Sequence, residues 1–209
     1  MAQGKRRFVD LSIYLENDVA SDPPGLEPRI DYITHDTSVE QIAKFFPGLS
    51  PADLPDGEGW AVERVRLSTH NGTHLDAPYH FHSTMDQALG ERRPSTTIDE
   101  VPLEWCFQPG VKLDFRHLPD GHVVGAAEVE AELARIGHVL RPLEIVVVNT
   151  RAGSRYGHPD YVSAGCGMGY EATMYLLERG STEGLGDDAP HVQLLASGVG
   201  VPWVLEAQE

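Results

Sequence analysis

The sequence predicts a domain of mixed α/β class, with α and β elements in one fold, from three observations. Strand-like and helix-like stretches interleave along the chain instead of segregating. The 209 residues fit a single domain over 1–209 and suffice to bury a core. Hydrophobic residues make up 41% and charged residues 23%, a globular balance that excludes wholesale disorder.

Taken in order, residues 8–15 (FVDLSIYL) alternate moderately and predict a first strand. Residues 17–60 read as a loop-rich arm. NDVASDPPGLEP and FPGLSPADLPDGEG concentrate Pro, Gly and Asp, which favour turns. Within the arm a short helix is expected around Ser38–Phe46. So long an irregular stretch serves as a functional arm, an oligomer contact or a surface excursion. Residues 61–69 (AVERVRLST) predict a strand, as do 111–116 (VKLDFR). Ala126–Ile136 sets Val129, Leu133 and Ile136 at helical spacing and predicts an amphipathic helix. Leu143–Asn149 is a near-continuous β-branched run, expected as a buried central strand. Gly169–Arg179 predicts a helix stopped by Gly180, and Leu194–Leu205 has room for a last strand.

Charge narrows the function. Sixteen Lys and Arg against 32 Asp and Glu leave a formal net charge of −16. That opposes gripping nucleic acid, which needs a basic face, and docking on anionic lipid. No apolar run approaches the roughly 20 residues that span a bilayer. MAQGKRRFVDLS lacks the apolar core of a secretory signal. Cys106 and Cys166 form neither a disulfide framework nor a CxxC pair. The expectation is a cytoplasmic protein acting on a small molecule.

Histidine carries the functional signal. Four of the ten, His70, His74, His80 and His82, fall between residues 70 and 82, with Asp76 among them. A helical reading of His70 and His74 is poor, because Asn71-Gly72-Thr73 between them disfavours helix and no Glu follows His70. In an extended reading the period of two puts His70, Gly72, His74 and Asp76 on one face. Gly72 leaves space between the ligands, and Pro78 ends the strand so that His80 approaches from another direction. Two imidazoles and a carboxylate suit Zn(II), Mn(II) or Fe(II) and leave a position open for water or substrate. Such a metal acidifies its water and polarises a carbonyl. His80 is the candidate proton carrier. His82 suits a supporting or surface role better than ligation. His35, His117, His122 and His138 read as solvent histidines, and His158 is ambiguous.

Other motifs are poor. There is no GxSxG elbow and no Walker loop. Gly165-Cys-Gly-Met-Gly169 lacks the full GxGxxG pattern, and packing at a helix start is its expected use. Cys166 reads as a small packed residue rather than a nucleophile. Trp60, Tyr79, Phe81 and Trp105 are candidates to line an apolar pocket, with core packing as the alternative.

His70-Asn-Gly-Thr-His74-Leu-Asp76-Ala-Pro78-Tyr-His80 resembles the HxGTHxDxPxH signature of the cyclase-like metal hydrolases. These include bacterial kynurenine formamidase and isatin hydrolase. Val9-Asp10-Leu11-Ser12 resembles the family's first strand, and Asn149-Thr150-Arg151 its pocket segment. The resemblance covers roughly residues 8–180. It implies a swivelling β/β/α fold, a homodimer or homotetramer, and hydrolysis of a C–N amide bond. It also implies metal ligation by His70, His74 and Asp76, with His80 as acid/base. Members with two metals add a distal His and a Glu about a dozen residues later. Here His191 opens HVQLLASGVGV, but Trp203 stands twelve residues on and the nearest Glu is Glu206. Residues 181–209 therefore read as shortened or diverged. His191 and Glu206 are the candidate ligands of a second metal, so one or two Zn(II) or Mn(II) per chain are expected.

Three functions compete. The first is a metal-dependent amidohydrolase acting on a small aromatic or cyclic amide, with lactone or ester hydrolysis as the nearest variant. The second is a non-haem Fe(II) oxygenase, in which His74-x-Asp76 is joined by His158 or His191. That reading needs a regular antiparallel jelly roll, which the two expected helices oppose. The third is a non-catalytic metal-binding protein, to which the C-terminal departure points.

Overall fold

The computed structural model of the chain describes residues 8–20, 24–85, 93–179 and 193–197. The backbone divides into two units, Ser12–Gly72 and Met1–Leu11 with Thr73–Glu209.

Residues 8–15 are not a strand. Their alternation marks a segment able to present two faces, but a strand exists only where a partner completes its ladder. Among the described residues no sheet includes them, and Phe8 and Tyr14 are exposed.

The loop-rich arm holds more order than its Pro and Gly content implies. β1 (Arg29–Ile33) leads into α1 (His35–Phe45), and β2 (Val62–Arg66) returns antiparallel to β1. The sequence reading has no strand at β1, because RIDYI is short and buries a single side chain, Ile30. α1 starts earlier than expected. Thr34 caps it, its N–H donating to Thr37 Oγ1 at 2.9 Å. Ser38 and Ile42 are its buried residues. Gly59 packs so close to them that a Cβ there would lie 2.2 Å from Ser38 Oγ. Asn17 closes the outer edge of β1, accepting from the Ile30 N–H at 2.7 Å and donating to the Ile30 carbonyl at 2.8 Å.

The other unit opens with α2 (Pro78–Phe81) and the antiparallel pair β3 (Thr84–Met85) and β4 (Arg93–Pro94). β5 (Gly110–Asp114), β6 (Val123–Val124), α3 (Ala126–Ile136) and β7 (Ile145–Asn149) follow. β8 (Gly167–Met168), α4 (Tyr170–Arg179) and β9 (Gln193–Ser197) complete the order. β5, β7 and β9 form a parallel sheet with β7 in the middle, and β6 pairs parallel with β8.

Parallel strands need helical crossovers, and α3 and α4 supply them. Leu113 and Val146 from the sheet, Val129 and Leu133 from α3, and Ala172 and Leu176 from α4 build one core with Phe115 and Val124. β7 is central as expected. Only Val146 and Val148 are buried, however, while Ile145 and Val147 stay partly exposed. α3 matches its expected bounds. It ends at Gly137 in the left-handed region, with the His138 N–H donating back to the Leu133 carbonyl at 3.0 Å. Of the C-terminal strand expectation, β9 is described. Gly180, and the rest of 181–209, lie outside the described residues.

Candidate metal centre

β2 runs out at Arg66, and the chain then turns instead of continuing extended. Ser68 and Asn71 build that turn. The Asn71 N–H donates to the Ser68 carbonyl at 3.0 Å, and Asn71 Oδ1 accepts from the Ser68 N–H at 2.8 Å. Ser68 Oγ accepts from the His70 N–H at 3.3 Å. Asn71 Nδ2 then donates to the Leu26 carbonyl at 2.8 Å, tying the turn to the arm. Gly72 follows with φ +67 and is buried, and a Cβ there would lie 2.8 Å from Leu15 Cδ2. The period-two geometry expected for 70–76 is thus corrected. Turn residues and a positive φ, not a flat strand, orient the three candidate donors.

The convergence itself stands. His70, His74 and Asp76, on one seven-residue stretch, each offer one ligand atom, and these atoms all lie within 4.8 Å of one another. His74 Nε2 stands 3.5 Å from Asp76 Oδ1 with both side chains mostly buried, while His70 is exposed. Two imidazole nitrogens and a carboxylate oxygen at such spacing fit a divalent transition metal and leave coordination positions open. Among the described residues this is the one such cluster.

Pro78 does more than end an extended run. It occupies the first turn of α2, where its missing N–H costs nothing. The Tyr79 N–H donates to the Thr96 carbonyl at 3.1 Å and anchors that helix. His80 sits on α2, exposed, with its ring edge-on to Phe81 at 5.0 Å. His82 Nδ1 accepts the Thr84 N–H at 3.0 Å, a local structural use.

His122 and His138 are not simple solvent histidines. His122 Nε2 lies 2.9 Å from Glu128 Oε1, and His138 Nε2 lies 2.8 Å from the buried Glu144. His35 Nδ1 donates to the Gly59 carbonyl at 2.7 Å. His117 and His158 are exposed. His191 and Glu206 lie outside the described residues.

Cys166 packs against the core, and burial pushes its thiol up from the ordinary value, away from nucleophile chemistry. The flanking glycines serve close packing. A Cβ at Gly165 would lie 2.8 Å from Thr150 Oγ1, and one at Gly169 2.8 Å from Val123 Cγ1. Trp60 leans on Phe45 at 6.4 Å, and Tyr79 and Phe81 are exposed.

A cavity of about 710 Å³ opens beyond the C-terminal end of β5, lined in part by Asp114, Phe115, Arg116, Glu132 and Arg135. None of the four expected aromatics lines it. Its carboxylates are already engaged. The hydrogen-bonded Arg116 guanidinium holds Asp114 well below the usual carboxylate range, and the Arg135 guanidinium lowers Glu132 from its ordinary value. Sequence reasoning passed over Ser68, Asn71, Leu15 and Leu26. Ser and Asn three apart before a glycine are the local signal for that turn.

A family model described as "Putative cyclase" matches residues 9–193. Isatin hydrolase A from Labrenzia aggregata, solved bound to benzyl benzoate, is similar with a TM-score of 0.58 and 24% identity, covering 83% of this chain and 64% of that one. An isatin hydrolase bound to the product analogue thioisatinate gives 0.53 and 21%, covering 80% and 58%. Isatin hydrolase A from Ralstonia solanacearum gives 0.58 and 21%, covering 82% and 62%. The chain therefore spans about three-fifths of the length of these structures. No curated protein matches its sequence. At these identities the likeness is one of fold.

Proposed function

We propose a function from one premise: the chain belongs to the cyclase family. Its mixed α/β fold is that of the cyclase-like isatin hydrolase structures. On that basis the chain is a metal-dependent hydrolase that cleaves a C–N amide bond of a small aromatic or cyclic amide. The observation that carries this reading is the His70, His74 and Asp76 cluster, with its ligand atoms within 4.8 Å.

His70, His74 and Asp76 would hold the divalent ion, Zn(II) or Mn(II). When bound, the ion acidifies water and polarises a carbonyl. The chain's own contribution is to hold three donors and no more on this stretch, which keeps room for water and a substrate carbonyl. Asp76, 3.5 Å from His74 Nε2, is the one anionic donor of the three and would offset part of the ion's charge. His80 takes the proton of the attacking water on an imidazole nitrogen and returns it to the departing amide nitrogen. Its exposure on α2 leaves that ring accessible to solvent. His191 and Glu206 are proposed as the ligands of a second ion. A homodimer or homotetramer in the cytoplasm belongs to the same reading. No helix among the described residues is long and apolar enough to cross a membrane.

A lactone or ester fits the same donors, since water attacks either carbonyl. The oxygenase reading is weaker, because the sheet of β5, β7 and β9 is parallel and no jelly roll is present among the described residues.

The test is metal content by plasma mass spectrometry, on protein purified without added metal, for the unmodified chain and for Asp76→Ala. Zinc or manganese near one or two per chain, lost in the variant, supports the hydrolase, and turnover of formylkynurenine and isatin is then measured. No metal, and none taken up on titration, ends the catalytic reading. Bound metal with no turnover across amide and lactone panels leaves the non-catalytic protein.

A further inference from the structure

The cluster's least buried ligand is the one most elaborately tethered. His70 is exposed, so burial alone does not fix its imidazole. What fixes its backbone is the Ser68–Asn71 turn, and Asn71 makes both side-chain bonds that define it. Oδ1 accepts from the Ser68 N–H at 2.8 Å and closes the turn on itself. Nδ2 donates at 2.8 Å to the Leu26 carbonyl, 45 residues earlier, and anchors the turn to the arm. Ser68, once placed, offers Oγ to the His70 N–H at 3.3 Å.

We propose that Asn71 is the positioning residue of the metal centre: its two-sided amide clamps the His70 turn to Leu26 and presets the imidazole for the ion. This rests on the metal-site reading above. Chemically, only an amide serves. A carboxylate cannot donate to the Leu26 carbonyl, and a hydroxyl is too short to span Ser68 and Leu26 together. Preorganising one donor of three removes ordering cost from metal uptake, and loss of such support typically lowers metal affinity about 10–100-fold.

A structural role alone would also weaken the fold, so the control must loosen the same unit without touching the turn. Asn17 provides it, since its amide likewise makes two hydrogen bonds, both to Ile30. The experiment titrates Co(II) into the metal-free full chain, unmodified and as Asn71→Ala and Asn17→Ala. It reads affinity and the d–d absorption band, with thermal melts of each metal-free protein alongside. Both variants are expected to melt lower. Asn71→Ala alone should lose about tenfold or more in Co(II) affinity and shift the band, because the donor geometry has changed. Asn17→Ala should keep both. Equal affinity and an unchanged band in Asn71→Ala overturn the proposal, as does an equal loss in the two variants, which would mean general loosening. If the unmodified chain binds no Co(II), the metal-site reading itself fails and takes this inference with it. Binding in the unmodified chain with no distinct Asn71 effect fails this inference alone.

Discussion

Replacing Gly72 with alanine probes the turn that presents His70. Two terms act. The residue sits at φ +67, where an L side chain costs roughly 1–2 kcal/mol. The new Cβ also lands 2.8 Å from Leu15 Cδ2, closer than real carbon contacts allow. Leu15 is 39% exposed, so its side chain can yield toward solvent, at about 0.5–1.5 kcal/mol for an off-rotamer position. Together these predict a loss of about 1.5–3.5 kcal/mol in metal-free stability, read by urea unfolding. Gly48 supplies the reference. It has φ +92, and a Cβ there would meet nothing within 4 Å, so Gly48→Ala should show the dihedral cost alone, about 1–2 kcal/mol. In the background of Leu15→Ala, the extra cost of Gly72→Ala over Gly48→Ala should vanish. Equal costs for the two glycines with Leu15 intact would refute the close contact. A neutral Gly72→Ala would refute the positive φ and with it the turn.

The remaining predictions address the core, the acid limb and the side-chain chemistry. Leu113→Ala removes a fully buried side chain from the sheet and should cost about 2–5 kcal/mol in urea unfolding; a cost below about 1 kcal/mol would contradict the core. Glu132 is held below its ordinary value of 4.5, chiefly by its hydrogen bond to Arg135. A lowered native value contributes stability that is present above 4.5 and lost as pH falls through the depressed value, so Glu132→Gln should flatten the acid limb of the stability curve; an unchanged limb would count against the pair. Cys106 is exposed and Cys166 half-buried with its thiol pushed up, so an aromatic disulfide reagent should consume one thiol quickly and the other slowly. His80→Ala should keep its metal and lose about 10²–10⁴-fold in turnover, whereas unchanged turnover would remove His80 from the proton path.

What could be read in advance divides along a physical line. α3 was legible to the residue, since Val129 and Leu133 repeat at helical spacing and Gly137 supplies a left-handed stop. β7 was legible as a central strand through its β-branched run, although the run overstates its burial, since only Val146 and Val148 are buried. Residues 8–15 were misleading because alternation is local while a ladder needs a distant partner. β1 was invisible for the converse reason: its strand character depends on β2, about thirty residues on, more than on RIDYI itself. At the candidate metal centre, residue types picked out three side chains that do converge, while their periodicity described the wrong backbone. Donor identity is a property of single residues. The turn depends on Asn71 reaching Leu26, and sequence spacing carries no sign of that reach. The same holds for His122, whose partner Glu128 is set by the first turn of α3, and for His138, whose partner Glu144 lies across the loop that follows α3.

The Asn17 clamp on Ile30 has a consequence for self-association. Because the Ile30 N–H and carbonyl both engage Asn17, they point away from β2. Val65, opposite Ile30, must then turn its own N–H and carbonyl outward, as must Glu63 two residues back. One border of this ribbon is thus plugged, and the other offers Glu63 and Val65. A second copy meeting it antiparallel about a two-fold axis has to match residues of like parity. Centred on Arg64, that sets arginine against arginine; centred on Glu63, glutamate against glutamate; centred on Val65, Arg64 against Arg66. Each of these three registers, the ones centred on the exposed strand's middle, confronts like charges, so both borders of the ribbon oppose edge-to-edge aggregation.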